Sequence, residues 1–223
     1  MTRDEIISAV LGRCVRSGDT ALQASAETEL RILVEQELER GAVLPWFLLS
    51  EFLTATTVIG EERVPLPTDV GGVTGRDFLR EHETCSLWLL PEGATKYVEL
   101  VKDDYDAIYN ELGGGSDSYG QPTKYSLDNQ YFYLKPTPDQ AYTLRMRVYL
   151  REPRLSTNIE NGWTKNAGDL LIARLGIIIA GQYIRDAEAL ATFTAQRQTA
   201  EDALWRAHEA REHAGRSYSM GDD

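Results

Sequence analysis

The sequence contains few of the residues that usually carry metal or nucleophilic chemistry. Its 223 residues include two cysteines, Cys14 and Cys85, and three histidines. Two cysteines far apart in sequence favour reduced, buried thiols over a disulfide or a metal cluster. His208 and His213 are five residues apart, so on a helix they diverge by about 140° and cannot share a zinc ion as an i,i+4 pair does. We therefore expect no metal site and no cofactor.

Signatures of catalysis and nucleotide binding are also missing. The glycines of residues 71–75 are not followed by the Lys-Ser/Thr of a phosphate-binding loop, and there is no Gly-x-Ser-x-Gly. Asp103, Asp104 and Asp106 lack the glycine and terminal glutamate of a calcium loop, and helix capping accounts for two of them. We predict that the protein is not an enzyme. If it is one, Asp103 and Asp104 are the candidate residues.

Basic charge and long hydrophobic runs are scarce. The chain has 23 Lys and Arg against 35 Asp and Glu, a net charge of −12. An acidic chain without a basic stripe repels phosphate backbones, which argues against gripping nucleic acid but not against DNA that slides past. The sequence contains neither the roughly 18–20 apolar residues of a membrane span nor a secretory signal. We expect the protein to be made inside the cell and not to associate with a membrane.

The most apolar segment of the chain is Asp169–Arg185, DLLIARLGIIIAGQYIR. It predicts a helix that is apolar on nearly all sides and must therefore be covered on every side. Thr2–Glu5 has the form of a capping box and opens a first helix, while apolar spacing predicts helices over about 20–40 and 187–212. The predicted core residues of this helical part are Leu171, Leu175, Ile178 and Leu204.

The middle of the chain changes from a helical to a strand period. From Tyr142 to Tyr149, apolar and polar residues alternate, which predicts a strand with one buried face. Two prolines confine the strand at residues 63–67 to an edge, and the glycines of residues 68–82 predict a loop. The predicted fold class is α+β, with an antiparallel helical bundle from the N- and C-terminal helices and a β-rich inserted lobe. The predicted parts are 1–44 and 160–214 for the bundle, 45–159 for the lobe and 215–223 for a flexible tail.

A series of aromatic and proline positions runs through the lobe and into the last helices. Its segments are Pro45–Leu48, Val64–Pro67, Ser86–Leu89, Tyr97–Leu100, Tyr131–Pro136, Tyr142–Leu150 and Asn161–Trp163. This order resembles that of the head-to-tail adaptor proteins of tailed bacteriophages, also called connector or head-completion proteins. The likeness extends from about residue 3 to 212. The loops 68–82 and 113–123 and the tail have no counterpart in the family pattern.

The resemblance implies a structural virion protein of the neck, made in the host cytoplasm. Such proteins assemble with copies of themselves into a ring, usually a dodecamer, between the portal protein and a tail or nozzle protein. DNA passes through the lumen without specific binding. Carried onto this chain, the implied portal-docking residues are Arg211, Arg216, Tyr218 and Met220. The implied tail-facing residues are Glu61, Glu62, Ser116 and Tyr119.

An alternative class is a non-phage protein-binding module, in which a helical bundle carries a β lobe. Aromatic residues concentrate in the lobe, and outward tyrosine and tryptophan side chains often anchor protein interfaces. Ring formation distinguishes the two classes, because a binding module has no reason to close into a ring.

Overall fold

The computed structural model describes residues 1–41, 44–82, 86–110, 118–128, 130–157 and 160–216. The protein is α+β, with 45% helix and 23% strand. The chain divides into two compact units, of which the first, the helical unit, consists of Met1–Leu48 and Glu152–Asp223. The second, the β-rich unit, is Leu49–Arg151. Of the two cysteines that were expected to be buried thiols, Cys85 lies outside the described residues.

Helices lie near both ends of the chain, and the strands lie between them together with one short helix, α3. The α-helices of the described residues are α1 (Arg3–Arg13), α2 (Thr20–Ile32), α3 (Tyr105–Asn110), α4 (Gly162–Asn166), α5 (Gly168–Ile178) and α6 (Ala187–Arg216). The strands are β1 (Leu49–Thr56), β2 (Arg63–Pro65), β3 (Asp77–Glu81), β4 (Trp88–Leu90), β5 (Val98–Glu99), β6 (Val101–Lys102), β7 (Tyr119–Gly120), β8 (Lys124–Asp128), β9 (Tyr131–Lys135), β10 (Thr137–Pro138) and β11 (Thr143–Arg151). Two π-helical stretches, Leu33–Leu38 and Ile179–Ile184, continue α2 and α5.

Side-chain caps begin α1, α2 and α4, whereas α5 starts without one. The capping box at the start of α1 is confirmed: the Glu5 N–H donates to the Thr2 hydroxyl, and the Thr2 N–H donates to the Glu5 carboxylate at 2.8 Å. Asp19 caps α2 and Asn161 caps α4, each accepting a backbone N–H at 3.0 Å. These caps satisfy donors that have no partner within the helix. Residues near in sequence therefore set where the helices start.

Helix α5 lies against α1, α2, α4 and α6. Leu171, Leu175 and Ile179 are fully buried, and Leu204 of α6 is 7% exposed. Ile178, expected in the core, is only half-buried. Buried residues cover most sides of α5, and Arg174, Ile177 and Ile178, which are three and four positions apart, form a side that is only partly covered.

Arg174, one of the two basic residues of the apolar segment, is held by carboxylates of two other elements. Its guanidinium lies 2.9 Å from Glu201 of α6 and 3.6 Å from Glu37 in the π-helical stretch after α2. The Nε and Nη2 groups of Arg174 both donate to the same Glu201 oxygen. A partly buried charge is tolerated because it is paired, so Arg174 links α5 to its neighbours and does not disrupt the unit.

Val15, at the end of α1, has a conformation that suits glycine. Its φ is 53° and its side chain is 88% exposed. The backbone is held there by the N–H of Arg16, which donates to the Leu11 carbonyl at 2.9 Å, as in a helix end that usually carries glycine. A β-branched residue in this region costs about 1–2 kcal/mol.

We expect Val15→Gly to raise the free energy of unfolding by about 1 kcal/mol, after allowing for the greater freedom of glycine in the unfolded chain. The melting temperature should rise by about 2–4 °C. The matched control is Ala24→Gly at an exposed position within α2, which should lower stability by about 1 kcal/mol. Equal losses from both changes would contradict the left-handed assignment of Val15.

The β-rich unit is built from two larger sheets that share one core. The first has the order β1-β11-β4-β5, with β3 also pairing with β11, and the second has the order β2-β9-β8-β6. Strands β7 and β10 form a separate parallel pair. Side chains of both sheets form the core: Leu53, Val64, Leu87, Leu89, Leu100, Tyr125, Phe132, Leu134, Tyr142, Leu144, Met146, Val148 and Leu150. The alternation predicted from Tyr142 onwards is confirmed up to Val148, but Tyr149, which was expected on the solvent face, is buried and stacks on His82. Strand β2 is the edge strand that its prolines required.

Three boundaries differ from the sequence-based expectations. Residues 68–82 are not all loop, because Asp77–Glu81 forms β3 and pairs antiparallel with β11. The second helix changes from α to π at Leu33. The last helix continues to Arg216, past the expected start of the tail at residue 215. The partner of β3 lies far along the chain in β11, so the local glycine pattern could not place that boundary.

Candidate interaction surfaces

Histidine and cysteine side chains serve packing in the described structure. His82 stacks on Tyr149 with ring centroids 5.4 Å apart, and His208 meets Trp205 edge-on at 5.6 Å. Burial, with a smaller effect of Asp186, raises the pKa of the Cys14 thiol, which makes it a poor nucleophile at neutral pH. No group of three or more His, Cys, Asp or Glu that could hold a metal ion occurs among the described residues.

Asp103, one of the two acidic residues considered for catalysis, has structural partners. Asp103 lies 3.3 Å from Lys124 of β8, and its other carboxylate oxygen accepts the backbone N–H of Asp104 at 3.0 Å. These contacts precede α3 and connect it to the second sheet. The arrangement offers an ion pair and a helix start, and brings no second catalytic group to Asp103 within the described contacts.

The largest exposed apolar side chains at one end of the β-rich unit are Val58, Ile59 and Tyr119. They are 61%, 63% and 62% exposed. Val58 and Ile59 are in the turn between β1 and β2, and the next residue, Gly60, donates its N–H to the Pro138 carbonyl at 2.9 Å. Pro138 pairs in turn with Gly120, beside Tyr119. We call Val58, Ile59 and Tyr119 the apolar tip.

Hydrogen bonds at the base of the apolar tip fix its backbone. Thr57 donates its N–H to the Tyr142 carbonyl, and the Tyr142 N–H donates back to the Thr57 hydroxyl at 2.8 Å. The Tyr142 hydroxyl donates to Asp139 at 2.6 Å. Burial, together with this bond, raises the pKa of Tyr142, so the phenol stays protonated and the bond persists at neutral pH. The tip is thus held by bonded residues that are distant in sequence.

The predicted tail-facing residues surround this tip where the structure describes them. Glu61 is exposed and Tyr119 belongs to the tip, while Glu62 is held by Lys135 at 2.8 Å. Ser116 lies outside the described residues. Val58 and Ile59 were not singled out from the sequence, because they read as the end of a strand. The available signal was a Val-Ile pair directly before a turn glycine.

Of the predicted portal-docking residues, the structure places the side chain of Arg211. Its guanidinium lies 3.5 Å from the centre of the Trp46 ring, a cation–π contact within the helical unit. Trp46 packs edge-on against Phe47, which does the same with Trp163. Arg216 ends α6, and Tyr218 and Met220 lie outside the described residues. The cation–π contact of Arg211 therefore connects α6 to the short turn, Trp46–Leu48, that precedes β1.

Comparison with known families decides between the phage and non-phage readings. The family model described as SU10 adaptor protein matches residues 1–220. The chain belongs to the SU10 adaptor protein family. No curated protein matches the chain. The sequence-based identification as a phage adaptor is thereby confirmed.

As an SU10 adaptor protein, the chain is a structural component of a phage virion that interacts with other phage structural proteins. The match includes both compact units, so the β-rich unit is part of the adaptor itself. None of the described helices is long and apolar enough to cross a membrane.

Proposed function

We propose that this SU10 adaptor protein forms a ring of twelve copies between the portal and the tail or nozzle protein. DNA passes through the lumen of this ring. The observation that carries the proposal is the family match over residues 1–220. The terminal helices pack the ring, and the β-rich unit makes the contacts with the tail. The C-terminal residues 215–223 attach to the portal.

The helical unit supports a role in ring packing. Ile177 and Ile178 retain exposure next to the fully buried Leu175 and Ile179. Apolar surface left by one chain on its central helix is covered when a neighbouring subunit packs against it. A contact between two different faces, repeated about an axis, closes into a ring. The half-buried isoleucines are therefore our candidate residues for the subunit interface.

Charge supports the passage of DNA without specific binding. The net charge is −12, and a surface that does not neutralise phosphates releases few counterions and gains little affinity. A protein that lines a channel for DNA has to avoid holding it. The non-phage module loses its support, since the matched family is a phage adaptor family.

The test is the assembly of the full chain alone and with the purified portal protein, followed by negative-stain microscopy and mass photometry. We expect rings of the free chain or rings seated on the portal. A chain ending at Arg216 keeps all of α6 and should fold and assemble normally while binding the portal at least tenfold more weakly. Circular dichroism serves as the folding control. A monomer that never binds the portal would refute the ring, and equal portal binding by the shortened chain would refute the docking role.

A further inference from the structure

The apolar tip is the clearest unpartnered surface of the β-rich unit. Val58, Ile59 and Tyr119 are each more than 60% exposed, and their backbones are tied together through Pro138. A rigid frame that holds large apolar side chains in water gains nothing for the folded chain alone. Exposed apolar groups on a fixed support are typical of surfaces that bind another protein.

The charge around the tip is acidic. The segments 57–62, 118–122 and 136–140 contain Glu61, Glu62 and Asp139, and the basic residues directly next to them in sequence are the exposed Arg63 and the part-buried Lys135. Lys135 compensates Glu62. None of the ion pairs between described residues involves Glu61 or Asp139, so two carboxylates flank the apolar side chains.

We propose that the apolar tip inserts into an apolar pocket rimmed by lysine or arginine on a different protein, the tail-side partner. The inference rests on the proposed function for the identity of that partner, and on the tip for its chemistry. Pairing with the same tip of a second copy is disfavoured, because Glu61 and Asp139 would then face the same carboxylates of that copy. An anionic membrane surface is disfavoured for the same reason.

The preformed frame lowers the ordering cost of binding. The bonds between Thr57 and Tyr142 and between Gly60 and Pro138 exist in the free chain, so contact does not have to order the turn first. Val58 and Ile59 supply the buried area, and Glu61 and Asp139 orient the approach. Glu61 should affect mainly the association rate and its dependence on salt.

The experiment uses the full chain, assembled on the portal, and the purified tail protein of the same phage as the probe. Val58→Asp combined with Ile59→Asp should weaken binding about 100-fold or more. Glu61→Gln should slow association and reduce its dependence on salt. The matched control is Val98→Asp, which changes a different exposed valine in strand β5 and should leave binding unchanged.

A photo-crosslinking residue at position 59 identifies the contact in assembled particles. We expect a crosslink to the tail protein near lysine or arginine residues. A crosslink to another copy of this chain, or binding to anionic vesicles that the double variant loses, would overturn the proposal. Wild-type tail binding by a portal-bound Val58→Asp/Ile59→Asp variant would overturn it while leaving the proposed ring intact. Failure to assemble on the portal at all would instead refute the proposed function.

Discussion

Gly176→Ala is expected to lower the free energy of unfolding by about 2–3 kcal/mol. A methyl group at this position would lie 2.5 Å from Cε1 of Phe193 and nearer still to two other ring atoms. Phe193 is 1% exposed, so its ring has no free space into which to move. The gain in helix propensity of about 1 kcal/mol does not offset this clash. The melting temperature should fall by about 5–10 °C.

Gly181→Ala is the matched control, because the added methyl group meets Leu190 at an ordinary 3.7 Å. Its stability should stay within about 1 kcal/mol of the wild type. Combining Gly176→Ala with Phe193→Leu should cost less than the sum of the two single changes, since the smaller side chain relieves the contact. Additive losses in denaturant unfolding would show that the ring is not the obstacle.

Val148→Asp is expected to unfold the β-rich unit. Val148 is fully buried in β11, whose neighbours on either side are β1 and β3. An unpaired carboxylate in such a place costs several kcal/mol, a large part of the roughly 5–15 kcal/mol that stabilises a typical protein. The core around Val148 consists of residues 53–150, all within that unit. Hydrogen exchange should therefore lose protection first in peptides from residues 49–151.

Thr143→Asp places the same carboxylate on the half-buried, opposite face of the same strand. It should cost about 1 kcal/mol through lower strand propensity and leave the protection pattern intact. Trp88 is the tryptophan of the β-rich unit, while Trp46, Trp163 and Trp205 belong to the helical unit. Unfolding followed at single-tryptophan variants therefore reports the two units separately. Equal effects of the two aspartates would contradict the assigned faces of β11.

The apolar tip and the Gly176 contact act at different levels of the proposed assembly. Gly176 sets how closely α6 approaches α5 inside one chain, so its loss should reduce the amount of folded subunit. Changes at Val58 and Ile59 leave the core untouched, because both side chains are exposed. Normal rings with defective tail binding are expected only from the second kind of change.

Some features of the candidate surfaces depend on neighbouring residues, and others depend on contacts between residues that are distant in sequence. The acidic character of Glu61 and the exposure of a turn were readable from the residues themselves. The backbone link between the turn at Ile59 and the strand of Tyr119 was not, because it depends on Gly60 bonding to Pro138, which pairs with Gly120. The contact of Arg211 with Trp46 joins two residues that are far apart in sequence. The composition and spacing of residues along the sequence do not show which distant residues come into contact.

Local chemistry in the sequence determined the capping box at Thr2, the alternation along β11, the edge position of β2 and the family resemblance. Capping, strand period and proline geometry act over a few residues, so they can be read without the fold. Only the tertiary structure decided the pairing of β3 with β11, the side of α5 on which Ile178 is left half-buried, and the frame beneath the apolar tip. These features depend on which distant segments meet, and that is settled by the packing of the whole unit.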